Sequence, residues 1–450
     1  MTNWRGRMIV LVMAGLLLVP LTAQGDHKPE HRKTMDHHPT QIETAGSSDN
    51  RPALSKNLIE VGFLGFEPFT ISDIWAHGDF VYLAGLSGSP IQVVDISDPA
   101  DPQVATTIES PDPACSTQDV KVETISTSHF KGDILAVGGE GCLTGLQLWD
   151  VTDANNPVLL SAVTQGSVPE FVPEFVHNVF VFEQGRNAYV IAASSFNELF
   201  TPFGDVLIVD ITDPVNPVVI AAWGAGKDGG LAFGTPLAPV PPFPPGSDCT
   251  PPPGGEELCR GLFFPAVNAH DVWVEGTTAY VSYWDAGVIL LDVSDPSDPT
   301  LIGRAVEPPT FGTDEGDAHV AVPARGGNLL LVGDETVIPD PWGFVRIFDT
   351  SDPANPVQVG AYATENALNA PEGDLAGFSA HNIIVHGNRA FMSWYDDGIR
   401  VLDFSQPNYP REVAAFVPEA AASFWGIYVH RNLVLGSDFV GAGLYILKLK

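Results

Sequence analysis

One pattern recurs six times along this chain: four or five apolar residues, an acid, then a proline-rich turn. It reads QVVDISDPADP ending at Pro102, LQLWDVTDANNP at Pro157, LIVDITDPVNP at Pro217, ILLDVSDPSDP at Pro299, RIFDTSDPANP at Pro356 and VLDFSQPNYP at Pro410. The anchor acids Asp95, Asp150, Asp210, Asp292, Asp349 and Asp403 are spaced 55, 60, 82, 57 and 54 apart. A degenerate seventh copy, GLYILKLK, ends the chain with Lys448 in the acid position. Self-similarity at such a period, in units that read as short strands, predicts an all-β chain: a seven-bladed β-propeller of four-stranded blades.

The fourth copy shows how a unit is laid out. VNAHDVWVE is the inner strand, TAYVSYW the second, GVILLDV the third and PTLIGRAVE the outer, with the Asp-Pro turn between the third and the outer. Asp and Asn bond their own backbone in such turns and Pro presets the dihedral, so the six anchor acids are read as turn builders. The seventh unit stops after its third strand. Asn57 to Gly62, NLIEVG, resembles the outer strand NPVQVG of Asn355 to Gly360, so the ring is expected to be closed by an N-terminal outer strand, giving a propeller over residues 57–450.

Residues 1–24 carry Arg5 and Arg7, an apolar run from Met8 to Val19, and a small-residue site near Ala23. That run is too short to span a bilayer and has the layout of a signal peptide, so a secreted, periplasmic or cell-surface protein is expected, with no membrane span in the mature chain. Residues 25–56 read as a disordered leader containing His27, His31, His37 and His38, a short tract of a kind that can take up metal. Four cysteines suit an oxidising compartment. Cys115 precedes the second inner strand and Cys142 follows the second strand of the same unit, which places both on one face and pairs them. Cys249 with Cys259 then staples a proline-rich insertion at about 224–265, longer than any other connection. The net charge of −34, or −36 once the two arginines of the signal are removed, repels nucleic acid and favours cations.

The turn Leu207-Ile208-Val209-Asp210, followed by Asp213-Pro214, resembles the LVIVD-repeat family of exported β-propeller proteins of bacteria and archaea. The resemblance covers about residues 57–450. It implies the fold and little about function.

The chemistry is expected where the inner strands begin. Aligned units give Ser72-Asp73, Gln118-Asp119, His177-Asn178, His270-Asp271, His319-Val320, His381-Asn382 and Trp425-Gly426. Four consecutive units thus carry histidine at one place, and the symmetry of a propeller sets His177, His270, His319 and His381 around one mouth of the central channel. Fifteen residues after three of these stand Asp285, Asp334 and Asp396. In an antiparallel hairpin the start of one strand faces the end of the next, so each acid is expected near its histidine, making that face acidic. Glu140, Glu198, Glu335, Asp397 and Asp438 fall in the corresponding loops, and Trp284, Trp394 and Tyr395, beside the loop acids, are candidate ligand-stacking residues or blade packing.

Two accounts of the histidines compete. In one, neutral imidazoles converge on a transition metal (Fe, Cu or Zn) with carboxylates orienting them. Carotenoid-cleaving oxygenases, propellers that hold iron with four histidines near the axis, share that layout but not the motifs. In the other, each histidine bonds the acid of its own blade and fixes a turn, as in tryptophan-aspartate-repeat propellers. Calcium is a further candidate on Asp314, Glu315, Asp317, Glu372 and Asp374, although no EF-hand spacing occurs. No serine nucleophile elbow, phosphate loop or dinucleotide fingerprint supports another class of enzyme. The functional expectations are therefore a metal-dependent enzyme, an oxidoreductase first, or a non-catalytic secreted or cell-surface binding scaffold that holds a small molecule or protein partner with its acidic face and Pro-rich loop.

Overall fold

The computed structural model describes residues 53–142, 144–163, 176–195, 197–200, 203–231, 268–306, 317–336, 342–369 and 377–450. The signal region, most of the leader and the body of the insertion with Cys249 and Cys259 lie outside them, as do Asp314, Glu315, Glu372 and Asp374.

The described strands form seven antiparallel sheets, five of them taking all their strands in sequence order and two adding a strand from the N-terminal segment. Six of these blades span residues 70–108, 116–163, 176–223, 271–305, 318–362 and 383–417, and the seventh holds 424–449. The innermost strands touch one another in cyclic order, the seventh against the first, so the chain is a seven-bladed β-propeller. The outermost place in blade 7 is taken by Leu58–Gly65, antiparallel to Gly443–Leu449. Before it, Leu54–Lys56 pairs with the outer strand of blade 6 as a fifth strand, Leu54 opposite Val417. The last residues assigned to the leader are thus part of a sheet, and Lys56 reaches Glu412 at 3.3 Å.

Why these segments are strands follows from burial. The third strands IQVVD, LQLWD, VLIVD, VILLD, VRIFD and IRVLD are buried along their first four residues. Blades pack face to face, so both sides of a central strand meet neighbours, and the sequence shows a continuous apolar run instead of an alternation. Outer strands face solvent and read as half-buried.

Each of the six anchor acids builds its turn in the same way. Asp95, Asp150, Asp210, Asp292, Asp349 and Asp403 accept the backbone N–H two residues on at 2.8–2.9 Å. Those N–H donors hold the carboxyls of Asp292, Asp349 and Asp403 below their ordinary value. A depressed carboxyl contributes stability that is present above its unfolded pKa and lost as pH falls through the folded one. Asp349→Ala is therefore expected to destabilise slightly at pH 7, since the group is exposed and screened, and progressively less as pH falls below the ordinary carboxyl value of about 4, for example at pH ~3. Urea denaturation at the two pH values checks this, and an equal loss at both would contradict it.

Blades interlock through these turns. At the bulge of the outer strand, a Cβ on Gly303 would lie 2.2 Å from the Pro353 carbonyl of the next blade's turn. Gly360 stands in the same relation to Pro407 and Gly62 to Pro99. Any side chain there would force the blades apart. In blade 2 the same place holds Ser161, whose hydroxyl donates to the Pro214 carbonyl at 2.7 Å.

Candidate metal centre

The four histidines reach the channel through a local irregularity. In an ordinary strand, adjacent side chains point to opposite faces, so a histidine and its follower could not both look inward. The inner hairpins of blades 3 and 5 shift register between Val176 and Asn178 and between Ala318 and Val320. His177 and His319 are the extra residues of these bulges, and a bulge re-aims a side chain. The shift recurs at Gln118 in blade 2, at Trp425 in blade 7, and across Ser72-Asp73 in blade 1. In blades 4 and 6 the regular strand starts later, and His270 and His381 are fixed by N–H donation to Ser282 O at 2.9 Å and Ser393 O at 3.1 Å.

The result is an arc of imidazoles. Ring centroids lie 4.0 Å apart from His177 to His270, 4.1 Å from His270 to His319 and 4.2 Å from His319 to His381, each pair tilted by 42–48°. His270 is 6% exposed, and His319 and His381 are each 2% exposed. Backbone carbonyls of the next blade orient two of them: His270 Nδ1 donates to His319 O at 3.1 Å and His381 Nδ1 to Trp425 O at 2.7 Å. His319 Nδ1 faces the His381 backbone at the edge of hydrogen-bond geometry. A carbonyl only accepts, so the proton of each neutral ring sits on Nδ1 and Nε2 carries the lone pair. His177 differs, with Nδ1 2.8 Å from the Glu140 carboxylate of the preceding blade.

Electrostatics keep three of these rings neutral. Burial, reinforced by the neighbouring imidazoles, drives His270 and His319 well below the usual histidine value. Burial brings His381 down to about 3. His177 goes the other way: burial opposes its charge, but Glu140 outweighs it and raises the ring.

The acid that completes the arrangement is Glu335. Its carboxylate stands 3.3 Å from His319 Nε2, and its other oxygen accepts the Tyr395 hydroxyl. Desolvation pushes Glu335 up to about 7, although the Tyr395 bond pulls the other way. Ligand atoms of His270, His319 and Glu335 all lie within 4.8 Å of one another. Two acceptors as close as His319 Nε2 and the Glu335 oxygen repel unless a proton or a cation lies between them.

Of the acids at the fifteen-residue spacing, Asp334 is drawn away from its histidine. Asp334 pairs with Arg346 of its own blade at 2.7 Å, because the bulge sets Asp334 opposite Ala318 and leaves the next residue, Glu335, beside His319. Asp285 and Asp396 are buried in the turns after the second strands of blades 4 and 6, where the Asp396 N–H donates to Gly377 O at 3.1 Å. Trp394 is core: fully buried, its Nε1 donates to Phe378 O at 2.6 Å. Trp284 is at the site, its ring 4.6 Å from His270 and 5.7 Å from His319. Tyr395 and Trp425 each stand 4.7 Å from His381. Cys115 and Cys142 form a disulfide on this face. In the sequence Glu335 is one of several loop acids and Tyr395 a stacking candidate beside Trp394; the bulge and the turn geometry place both at the site.

A second tier lies beneath the first. Asp73, Asp119, Asn178, Asp271 and Asn382 stand one residue after the lumen positions of their blades, and all but Asp119 line the channel below the imidazoles with Lys121. Lys121 Nζ is 3.1 Å from Asp73 and bonded to Asp119, Asn382 donates to Asp73 at 3.0 Å, and Asn178 to Asp271 at 2.6 Å. The Asp119 carboxylate also accepts the Val179 N–H at 2.8 Å. Lys121 sits 5.0 Å over the Trp75 ring, and Trp75, Trp273, Phe180 and Tyr428 meet below it. These rings come from blades 1, 4, 3 and 7 and form the floor of the mouth.

The fold and the arc define a seven-bladed propeller with an imidazole-lined mouth. LVIVD repeats occur in the chain: the LVIVD repeat model matches residues 70–109, 267–306, 328–364 and 377–417, which fall on blades 1, 4, 5 and 6. Among solved structures, virginiamycin B lyase from Staphylococcus aureus superposes with a TM-score of 0.53 at 8% identity, covering 87% of this chain and 99% of that one. Raptor from Chaetomium thermophilum gives a TM-score of 0.54 at 11% identity, covering 88% of this chain and 30% of that one. At such identities the likeness is of fold alone. No curated protein sequence matches the chain.

Proposed function

We propose that this chain is an exported metal-binding propeller whose channel mouth holds one transition-metal ion through His270, His319 and Glu335, with His177 and His381 flanking it. The observation that carries this reading is the convergence of those three ligand atoms within 4.8 Å. Imidazole suits zinc, copper and iron, and neutral buried rings bind without first losing a proton. A bound metal would supply Lewis acidity to water or oxygen at an open coordination position, the basis of an oxidoreductase or related activity. The residues' own part is to orient Nε2 through the Nδ1–carbonyl bonds and to hold Glu335 by the Tyr395 hydroxyl.

The test is metal analysis of the purified mature protein after loading with zinc, copper or iron. One equivalent is expected. His319→Ala and Glu335→Gln should each weaken binding by more than the ~10–100-fold typical of outer-shell changes. Failure of the wild-type protein to retain any of the three metals overturns the reading.

A second reading, in which the site is structural and the molecule a non-catalytic binding scaffold, is favoured by how closed the mouth is, with three imidazoles at 2–6% exposure. Structural metal sites are closed, whereas catalytic ones keep an open position. Retention of a metal that exchanges no water or small ligand would decide for the scaffold.

A further inference from the structure

Two turns on the histidine face repeat each other in a way their role as connectors does not require. In blade 4 the segment is Tyr283-Trp284-Asp285-Ala286-Gly287, and in blade 6 Trp394-Tyr395-Asp396-Asp397-Gly398. The second residue of each, Trp284 and Tyr395, is in the left-handed region at φ 45° and φ 30°. Bulky aromatic residues avoid that region, and such strain persists only where the surroundings enforce it.

The enforcement is the same in both turns. Gly287 N–H donates to Trp284 O at 2.8 Å and Gly398 N–H to Tyr395 O at 3.1 Å, and each glycine is itself left-handed. Each aromatic also bridges to the inner strand of the next blade: Trp284 N–H donates to Ala318 O at 3.1 Å, and Phe424 N–H to Tyr395 O at 3.0 Å. The backbone is thus clamped on two sides so that the ring turns inward. Trp284 comes over His270 and His319 from one side of blade 5, and Tyr395 over His381 from the other. Between them stands Glu335 of blade 5, bonded by Tyr395.

We infer that Trp284 and Tyr395 are the paired leaves of an aromatic gate over His319 and Glu335, which sets what can reach the imidazoles. The inference rests on the metal reading for its purpose but not for its geometry. A ligand too large to pass them has to swing one aside, and swinging the Tyr395 ring breaks its bond to Glu335. The gate therefore selects by size, and it slows traffic in both directions.

Access can be measured on the metal-free full chain. Diethyl pyrocarbonate acylates the free ring nitrogen of neutral histidine and is too large to slip past closed leaves; mass spectrometry follows each site separately. His270, His319 and His381 are expected to react slowly in the wild-type protein. Trp284→Ala should speed His270 and His319 by at least ~10-fold and Tyr395→Ala should do the same for His381, a gain of about 1.4 kcal/mol in accessibility. His129 and His386, away from the mouth, are internal controls whose rates stay unchanged, and they report any general loosening of the fold. Equal rates in wild type and both variants would overturn the gate, as would acceleration that includes the controls. Trp284→Phe, which keeps a ring in the turn, should stay within about threefold of wild type, and Ala-like rates in it would also overturn the gate. A wild-type protein that binds no metal but shows the gated rates would sink the proposed function and leave the gate standing.

Discussion

Lys121→Ala is expected to lower folding stability by about 3–5 kcal/mol, because removing one partner of a buried ion pair leaves the other uncompensated. Lys121 is the ammonium among the buried carboxylates Asp73, Asp119 and Asp271. Burial opposes its charge, yet Asp119 and Asp73 hold its proton on more firmly than in water. Without it, buried carboxylates from different blades face one another without a countercharge. The double variant Lys121→Ala/Asp119→Asn should be more stable than Lys121→Ala alone, since it removes one of the stranded charges while an amide oxygen can still accept the Val179 N–H. Urea titrations of the wild type, Lys121→Ala, Asp119→Asn and the double variant measure this. A double variant as unstable as the sum of its parts would mean that the lysine acts by filling space and not by charge.

The second large effect is at Trp394. Trp394→Ala is expected to cost about 3–5 kcal/mol, the usual range for deleting a buried aromatic. Trp394 is fully buried, its ring lies edge-on to Tyr362 at 5.9 Å, and its indole N–H would leave the Phe378 carbonyl unpaired. The variant should still bind metal with wild-type stoichiometry, because Trp394 touches none of the imidazoles. Trp284→Ala should show the opposite pattern, a small change in stability with altered access to the site. If Trp394→Ala abolished metal binding while remaining folded, the separation of core from site drawn from these two residues would fail.

Much of the architecture was legible because it repeats. The anchor acids fixed the number and spacing of blades, and NLIEVG beside NPVQVG pointed to the segment that now lies along Gly443–Leu449. The imidazole arc was legible for the same reason, since His177, His270, His319 and His381 occupy one place in successive units. The partners of those histidines were not. A fifteen-residue spacing assumes a regular hairpin, and the bulge at His319 moves the facing acid by one, from Asp334 to Glu335. Asp334 instead meets Arg346, a pairing across neighbouring strands that a spacing rule along one hairpin does not see. Trp284 and Trp394 are another case. Both occur beside a tyrosine before an acid, yet Trp284 is the second residue of its turn and Trp394 the first, so one looks into the channel and the other into the blade. The inward aromatic of blade 6 is Tyr395, one of the three stacking candidates, and the left-handed backbone with its ring against His381 distinguishes it from Trp394.

The bulge at the head of the inner strands has a reach beyond the four histidines. In five of the seven blades it adds one residue to the inner strand while the hydrogen-bonded ladder behind it continues. Ser72, Gln118 and Trp425 occupy the places that histidines hold in the other blades, so one backbone device presents different side chains at the same level of the ring.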